Sequence, residues 1–189
     1  MSLQPLFVST GLVAIAEIGD KTQLLALLLA ARFRKPAPII LGILTATIAN
    51  HLLAALVGKL AGALLEGPWM RWGLGLAFLA FAAWALVPDK FEENDAPETR
   101  GRGSVFLTTM VAFFFVEMGD KTQVATVALA ARFHEVLMVA AGTTLGMMIA
   151  NVPVVFVGEA AAKRLPLTLI RGLAAASFAA IGVWILVTG

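Results

Sequence analysis

The chain has 189 residues, of which 60% are hydrophobic and only 14% charged, with a net charge of +2 and no cysteine. Soluble domains carry about 25% charged residues, and disordered chains are more polar still, so neither class fits. No segment alternates at period two over the about ten residues of an outer-membrane barrel strand. The basic residues form no nucleic-acid patch. Without cysteine there is no disulfide framework, thiolate metal site or thiol nucleophile. A bilayer span takes about 20 apolar residues, so six spans would use about 120, which this composition can supply. The class expected is an all-α membrane protein with six transmembrane helices.

The start, Met1-Ser2-Leu3-Gln4-Pro5, has neither a charged n-region nor a small-residue cleavage site, so no cleavable leader is expected. The expected location is a plasma membrane, in a bacterium the inner membrane. Short charged or proline-containing breaks separate spans predicted at 5–31, 37–58, 69–87, 104–131, 136–158 and 167–188. Trp69, Trp72, Trp84 and Trp184 fall near span ends, where indole rings favour the headgroup region. Residues 88–103 form the one long polar stretch, with two Pro and two Gly, and read as a solvated tether.

This linker divides the chain into 1–87 and 104–189, and the two parts repeat. Residues 17–33 and 117–133 are identical at 11 of 17 positions at an offset of 100. Ala49-Asn50 and Ala150-Asn151 recur one residue out of that register. Self-similarity of this kind marks a duplicated unit. Each unit holds three predicted spans, and an odd number turns the second unit upside down. Inverted three-helix repeats are a transporter architecture with its site at the repeat interface. Counting Lys and Arg between the spans or near their ends gives Arg32, Arg34, Lys35, Lys90, Arg100, Arg102, Lys163, Arg164 and Arg171 on one side, and Lys59, Arg71 and Arg132 on the other. The positive-inside rule then puts linker 88–103 in the cytoplasm and both termini outside.

Charges inside an apolar span are costly and usually functional. Glu17 and Glu117 lie near mid-depth, and each heads the string Glu-x-Gly-Asp-Lys-Thr-Gln. On a continuous helix Glu17, Asp20 and Lys21 share one face through i,i+3 and i,i+4 spacing. Gly19 and Gly119 can kink or unwind the helix there. Two inverted copies would gather four carboxylates, Glu17, Asp20, Glu117 and Asp120. Thr22, Gln23, Thr122 and Gln123 could add neutral oxygens, as could Asn50 and Asn151. Such hard, oxygen-rich ligands suit Mg²⁺, Ca²⁺ and Mn²⁺. With Lys21 and Lys121 the set sums to −2, which one divalent cation or two protons would neutralise. Burial disfavours charged carboxylates, so protons compete with the metal. The alternative is that Glu17–Lys21 and Glu117–Lys121 are ion pairs that only lock the bundle. Gly58 and Gly62 read as a helix-packing pair, Asn50 and Asn151 also as inter-helix hydrogen bonds. His51 and His134 read as interfacial, Met147 and Met148 as core or lipid-facing residues.

The strings Glu17-Ile-Gly-Asp-Lys-Thr22 and Glu117-Met-Gly-Asp-Lys-Thr122 resemble the paired signature of the Gdt/transmembrane protein 165 family. The resemblance extends over nearly the whole chain through its length, six predicted spans and central linker. It implies a Mn²⁺ and Ca²⁺ transporter that exchanges for protons, bacterial members resembling manganese exporters. It carries over Glu17, Asp20, Glu117 and Asp120 as cation-site residues with Thr22 and Thr122 as neighbours, but does not reach Gln23 or Asn50. Organellar members carry an N-terminal extension that this sequence lacks, which favours a prokaryotic protein. The function expected is export of a divalent cation, Mn²⁺ before Ca²⁺, by a non-enzyme without cofactor, its partners being the cation, protons and lipid. A cationic amino acid exporter, a passive cation channel and an intramembrane aspartyl protease are the alternatives.

Overall fold

A computed structural model describes residues 2–64, 68–87, 104–157 and 166–188. The linker 88–103 and the basic residues Lys163 and Arg164, used above for topology, lie outside them. The described residues are all-helical. Helices α1 (Gln4–Glu17), α2 (Lys21–Phe33), α3 (Pro36–Leu64) and α4 (Pro68–Ala85) are followed by α5 (Val105–Glu117), α6 (Lys121–Phe133), α7 (Val136–Val157) and α8 (Leu167–Thr188).

The predicted spans 5–31 and 104–131 are therefore not continuous helices. Each is a pair of half-helices of 13 or 14 residues, about 20 Å long at 1.5 Å per residue. That is short of the about 30 Å hydrocarbon core of a bilayer. Among the described residues three helices are long and apolar enough to cross a membrane, Pro36–Ala63, Val136–Phe156 and Thr168–Thr188. The surface of the bundle agrees with lipid as its solvent. Phe7, Leu53, Phe115, Leu137 and Phe156 face outward, whereas Glu17, Asp20, Glu117 and Asp120 are buried. Such a broad apolar exterior is rare in a soluble monomer.

The sequence repeat is also a repeat of local structure. Arg34 and His134 both end a half-helix in the left-handed conformation, at φ 52° and 57°. Their N–H groups donate to Ala30 O and Ala130 O, at 3.0 and 2.9 Å, which satisfies a terminal carbonyl. Two residues later α3 and α7 begin.

The two parts pack crosswise. Helix α3 lies against α5 and α6, α7 against α1 and α2, and α3 also touches α7. Glycines at matching positions make the close contacts. A Cβ on Gly42 would stand 2.9 Å from Phe106 O in α5, and one on Gly142 would meet Leu6 O in α1. At the far end of α3, the Gly58 and Gly62 pair lies against the Val127 and Ala131 carbonyls of α6, so the packing reading of that pair holds.

Two apolar clusters divide the core. One gathers Leu12, Phe78, Leu129, Val139, Phe178 and Ile185. The other gathers Leu25, Leu29, Ile39, Ile43, Phe113 and Val155. Between them along each helix lie buried polar residues, Glu17 after Leu12, Thr22 and Gln23 before Leu25, Thr47, Asn50 and His51 after Ile43, Glu117 after Phe113 and Asn151 before Val155. The bundle thus has a polar middle layer between apolar ends.

Gly58→Ala places its methyl group against the Val127 carbonyl, and overpacking against backbone costs about 1–3 kcal/mol. Gly11→Ala meets nothing within 4 Å and gains helix propensity. Thermal unfolding of the detergent-solubilised protein should show a lowered midpoint for Gly58→Ala and none for Gly11→Ala. Equal midpoints would contradict the close α3–α6 contact.

Candidate cation site

The middle layer is organised by the two helix breaks. Helix α1 ends at Glu17, Ile18 is extended, Gly19 takes φ +82° and Asp20 is extended again as the residue before α2. Met118, Gly119 at φ +80° and Asp120 repeat this between α5 and α6. A positive φ costs any residue with a Cβ about 1–2 kcal/mol, which is why glycine stands between the two acids. The break also cancels the helical spacing from which Glu17, Asp20 and Lys21 were expected to share a face.

Backbone freed by a break needs partners inside an apolar bundle. Gln23 and Gln123 supply them. The Gly19 N–H donates to Gln23 Oε1 at 2.9 Å, and the Gly119 N–H to Gln123 Oε1 at 2.6 Å. Gln23 Nε2 donates in turn to Ala150 O in α7 at 3.0 Å. These two side chains, expected as oxygen donors to a cation, each accept the glycine N–H of their own break. The threonines orient the acids. Thr22 Oγ1 donates to Glu17 Oε2 at 2.6 Å, and Thr122 Oγ1 to Glu117 Oε1 at 2.9 Å.

Glu17, Asp20 and Asp120 each offer one oxygen within 4.8 Å of the others. Two ligands on opposite sides of one Ca²⁺ stand about 4.6–5.2 Å apart, and on a smaller ion closer, so these three oxygens fit around a single cation. Glu117 is not in that group. Its carboxylate lies beside them, one oxygen on Thr122 and 3.5 Å from His51 Nε2. Lys21 pairs with Asp120 at 3.1 Å, across the two parts of the chain rather than with Glu17. Lys121 is buried and reaches Val87 O at 3.5 Å, with its ammonium 6.0 Å from the Trp84 ring centroid. The local ion pairs set out as the alternative are thus replaced by a link between the halves.

Asn50 Nδ2 donates to Phe114 O in α5 at 3.0 Å, the inter-helix bond read from the sequence. Asn151 Nδ2 donates within its own helix, to Met147 O at 3.1 Å, and Met147 is core. The sequence reading missed His51. Expected at an interface, it is wholly buried in the polar layer beside Glu117. Its place next to Asn50, midway along an apolar helix, was the available signal.

Several buried acceptors have no hydrogen-bond partner among the described residues: Glu17 Oε1, Glu117 Oε2 and Asn151 Oδ1. Buried polar atoms are nearly always paired. Oxygen lone pairs without donors are what a cation would satisfy.

Comparison with known proteins bears on this chemistry. The profile described as "Divalent cation/proton antiporter GDT1" matches residues 5–93 and 105–189. A Vibrio cholerae protein named "Putative manganese exporter" is 49% identical over 92% of this chain and 86% of its own length. A GDT1-like protein of Synechocystis is 28% identical over 92% of this chain and 93% of its own. The "GDT1-like protein 4" of Oryza sativa is 29% identical over 74% of this chain and 58% of its own. No solved structure matches. The family is one of membrane transporters, which sets aside the aspartyl protease alternative. The chain belongs to the GDT1 family of divalent cation/proton antiporters.

Proposed function

We propose that this protein exports a divalent cation, Mn²⁺ before Ca²⁺, from the cytoplasm in exchange for protons, and that the cation binds among Glu17, Asp20, Asp120 and Glu117. The observation that carries this reading is the meeting of Glu17, Asp20 and Asp120, from both parts of the chain, at two helix breaks in the buried middle layer. The manganese assignment draws on the name of the Vibrio relative. The cation is cargo, so no resident cofactor enters the scheme.

The halves 1–87 and 104–189 act as inverted repeats on this reading. The order of apolar clusters along the chain supports it. Helix α1 contributes Leu12 to one cluster and α2 contributes Leu25 and Leu29 to the other. Their counterparts reverse the order, α5 giving Phe113 to the second cluster and α6 giving Leu129 to the first. Each half then supplies one break, and rocking of the halves about the shared layer exposes the site alternately to the two sides. Gly19 and Gly119 are the hinge points. The linker faces the cytoplasm of a cell whose inner membrane holds the protein, and both termini lie outside.

Protons enter through the ligands. A carboxylate must be ionised to hold the metal, so binding releases protons. Two protons replace one divalent charge, and the layer's net charge is then the same in both loaded states.

Four measurements test this reading. In proteoliposomes a Mn²⁺ gradient should drive counterflow of protons, and a pH gradient should drive Mn²⁺; metal flux indifferent to pH gradients would make the protein a channel. Glu17→Gln, Asp20→Asn, Glu117→Gln and Asp120→Asn should each abolish or severely reduce transport while still inserting, and the two halves should be impaired within about tenfold of each other, or about 1.4 kcal/mol. Thr22→Ser keeps the hydroxyl and much of the activity. Normal transport by both first-half variants beside dead second-half variants would refute a shared site. Mn²⁺ affinity should fall as pH is lowered from about 8 to 5, because protonated carboxylates are poor ligands. For the topology, single cysteines at Ser2 and Thr188 should react with an impermeant reagent in intact cells and one at Asn94 should not; the reverse pattern would invert the orientation.

A further inference from the structure

The oxygen donors at the two breaks do not by themselves choose between Mn²⁺ and Ca²⁺, whose oxygen preferences overlap. One buried side chain in the layer can offer a nitrogen lone pair. His51 is 0% exposed, on α3, and its Nε2 points at the Glu117 carboxylate from 3.5 Å. That contact lacks the geometry of a hydrogen bond, and neither ring nitrogen has a hydrogen-bond partner among the described residues. Neither ring nitrogen belongs to the close group of Glu17, Asp20 and Asp120 oxygens. The imidazole adjoins that group through Glu117, which shares the Thr122 hydroxyl with Asp120.

A buried imidazole with both nitrogens unpaired is uncommon. A neutral ring always presents one nitrogen lone pair; with the proton on Nδ1 that lone pair is on Nε2, which faces the Glu117 carboxylate, a group that when ionised only accepts. A cation between them satisfies both. The feature is one-sided. The residue after Asn50 is His51, but the residue after Asn151 is Val152, which has no donor atom.

We propose that His51 is a nitrogen ligand of the transported cation, contributed by the first half alone, and that it biases the site towards Mn²⁺ over Ca²⁺. Ca²⁺ takes its ligands almost wholly from oxygen. First-row transition ions bind mixed nitrogen and oxygen sites, and affinity for them rises along the series that begins with Mn²⁺. The same ring therefore opens the site to Fe²⁺ and Co²⁺ while doing little for Ca²⁺ or Mg²⁺. The proposal rests on the cation-site reading above and adds the origin of its selectivity.

Mn²⁺ is paramagnetic, and a directly bound imidazole nitrogen modulates its electron spin echo. The chain has two histidines, so His134→Gln leaves His51 as the sole source of such a signal. The purified full-length His134→Gln protein, loaded with Mn²⁺ in detergent, should show nitrogen modulation. Growth with ¹⁵N-histidine should change its frequency, with no substitution near the site. His51→Gln should remove the modulation, lower Mn²⁺ affinity by about tenfold or more and leave Ca²⁺ affinity little changed, retained Ca²⁺ binding reporting that the variant is folded. An unchanged frequency on isotope labelling, or a parallel fall in Mn²⁺ and Ca²⁺ affinity, would overturn the assignment. Asp20→Asn separates the two levels. If it loses Mn²⁺ while His51→Gln keeps both the modulation and the Mn²⁺ preference, only the histidine assignment fails. If Asp20→Asn binds Mn²⁺ like the parent, the site reading fails and the histidine proposal with it.

Discussion

A chain that leaves the helix inside an apolar bundle finds no water for its N–H and C=O groups, and each unmet group costs several kcal/mol. Two breaks of this kind lie in the middle layer, and the molecule is organised around meeting their needs. Glycine allows the turn, glutamine takes up the glycine N–H, and Gln23 ties the first break to Ala150 of α7. With the break secured, a half-helix ends on a glutamate and the next begins after an aspartate. Two acids three residues apart then converge without sharing a helix face.

The electrostatics follow from that convergence. Carboxylates gathered in a low-dielectric layer repel one another and lose solvation. Lys21 answers part of this by crossing to Asp120, and Thr22 and Thr122 answer part by donating to the glutamates. The remaining unpaired oxygens are the balance that a positive ion would correct. The helix dipoles are divided there too. The carbonyl ends of α1 and α5 carry partial negative charge towards the breaks, while Asp20 and Asp120 sit at the positive starts of α2 and α6.

Much of this was legible in the residues. A seven-residue string with two acids, repeated at mid-depth, has no ordinary structural use in an apolar span, and its glycine marked the break. Gly58 and Gly62 declared a close helix contact by their spacing. The partners across the bundle were not legible. Periodicity tells which residues share a face on one helix, but Lys21 and Asp120 meet through the packing of α2 against α5, which no local pattern encodes. The backbone bonds of the glutamines were hidden for a related reason. The N–H that each amide accepts is freed only by a break in the helix, which periodicity does not show. His51 was placed at an interface although its neighbour Asn50 pointed to the polar layer, and the packing of α3 against α5 turns it inward.

The halves of 13 and 14 residues have a consequence for how the protein is made. Neither α1 nor α2 is long enough to span a bilayer alone, and the turn between them takes its stabilising contacts from later in the chain, Ala150 for Gln23 and Asp120 for Lys21. When the ribosome has finished the first half, those partners do not yet exist. The turn of the N-terminal segment therefore gains these contacts only once α6 and α7 are in place. In the finished fold the last third of the chain thus supplies contacts that the first third needs.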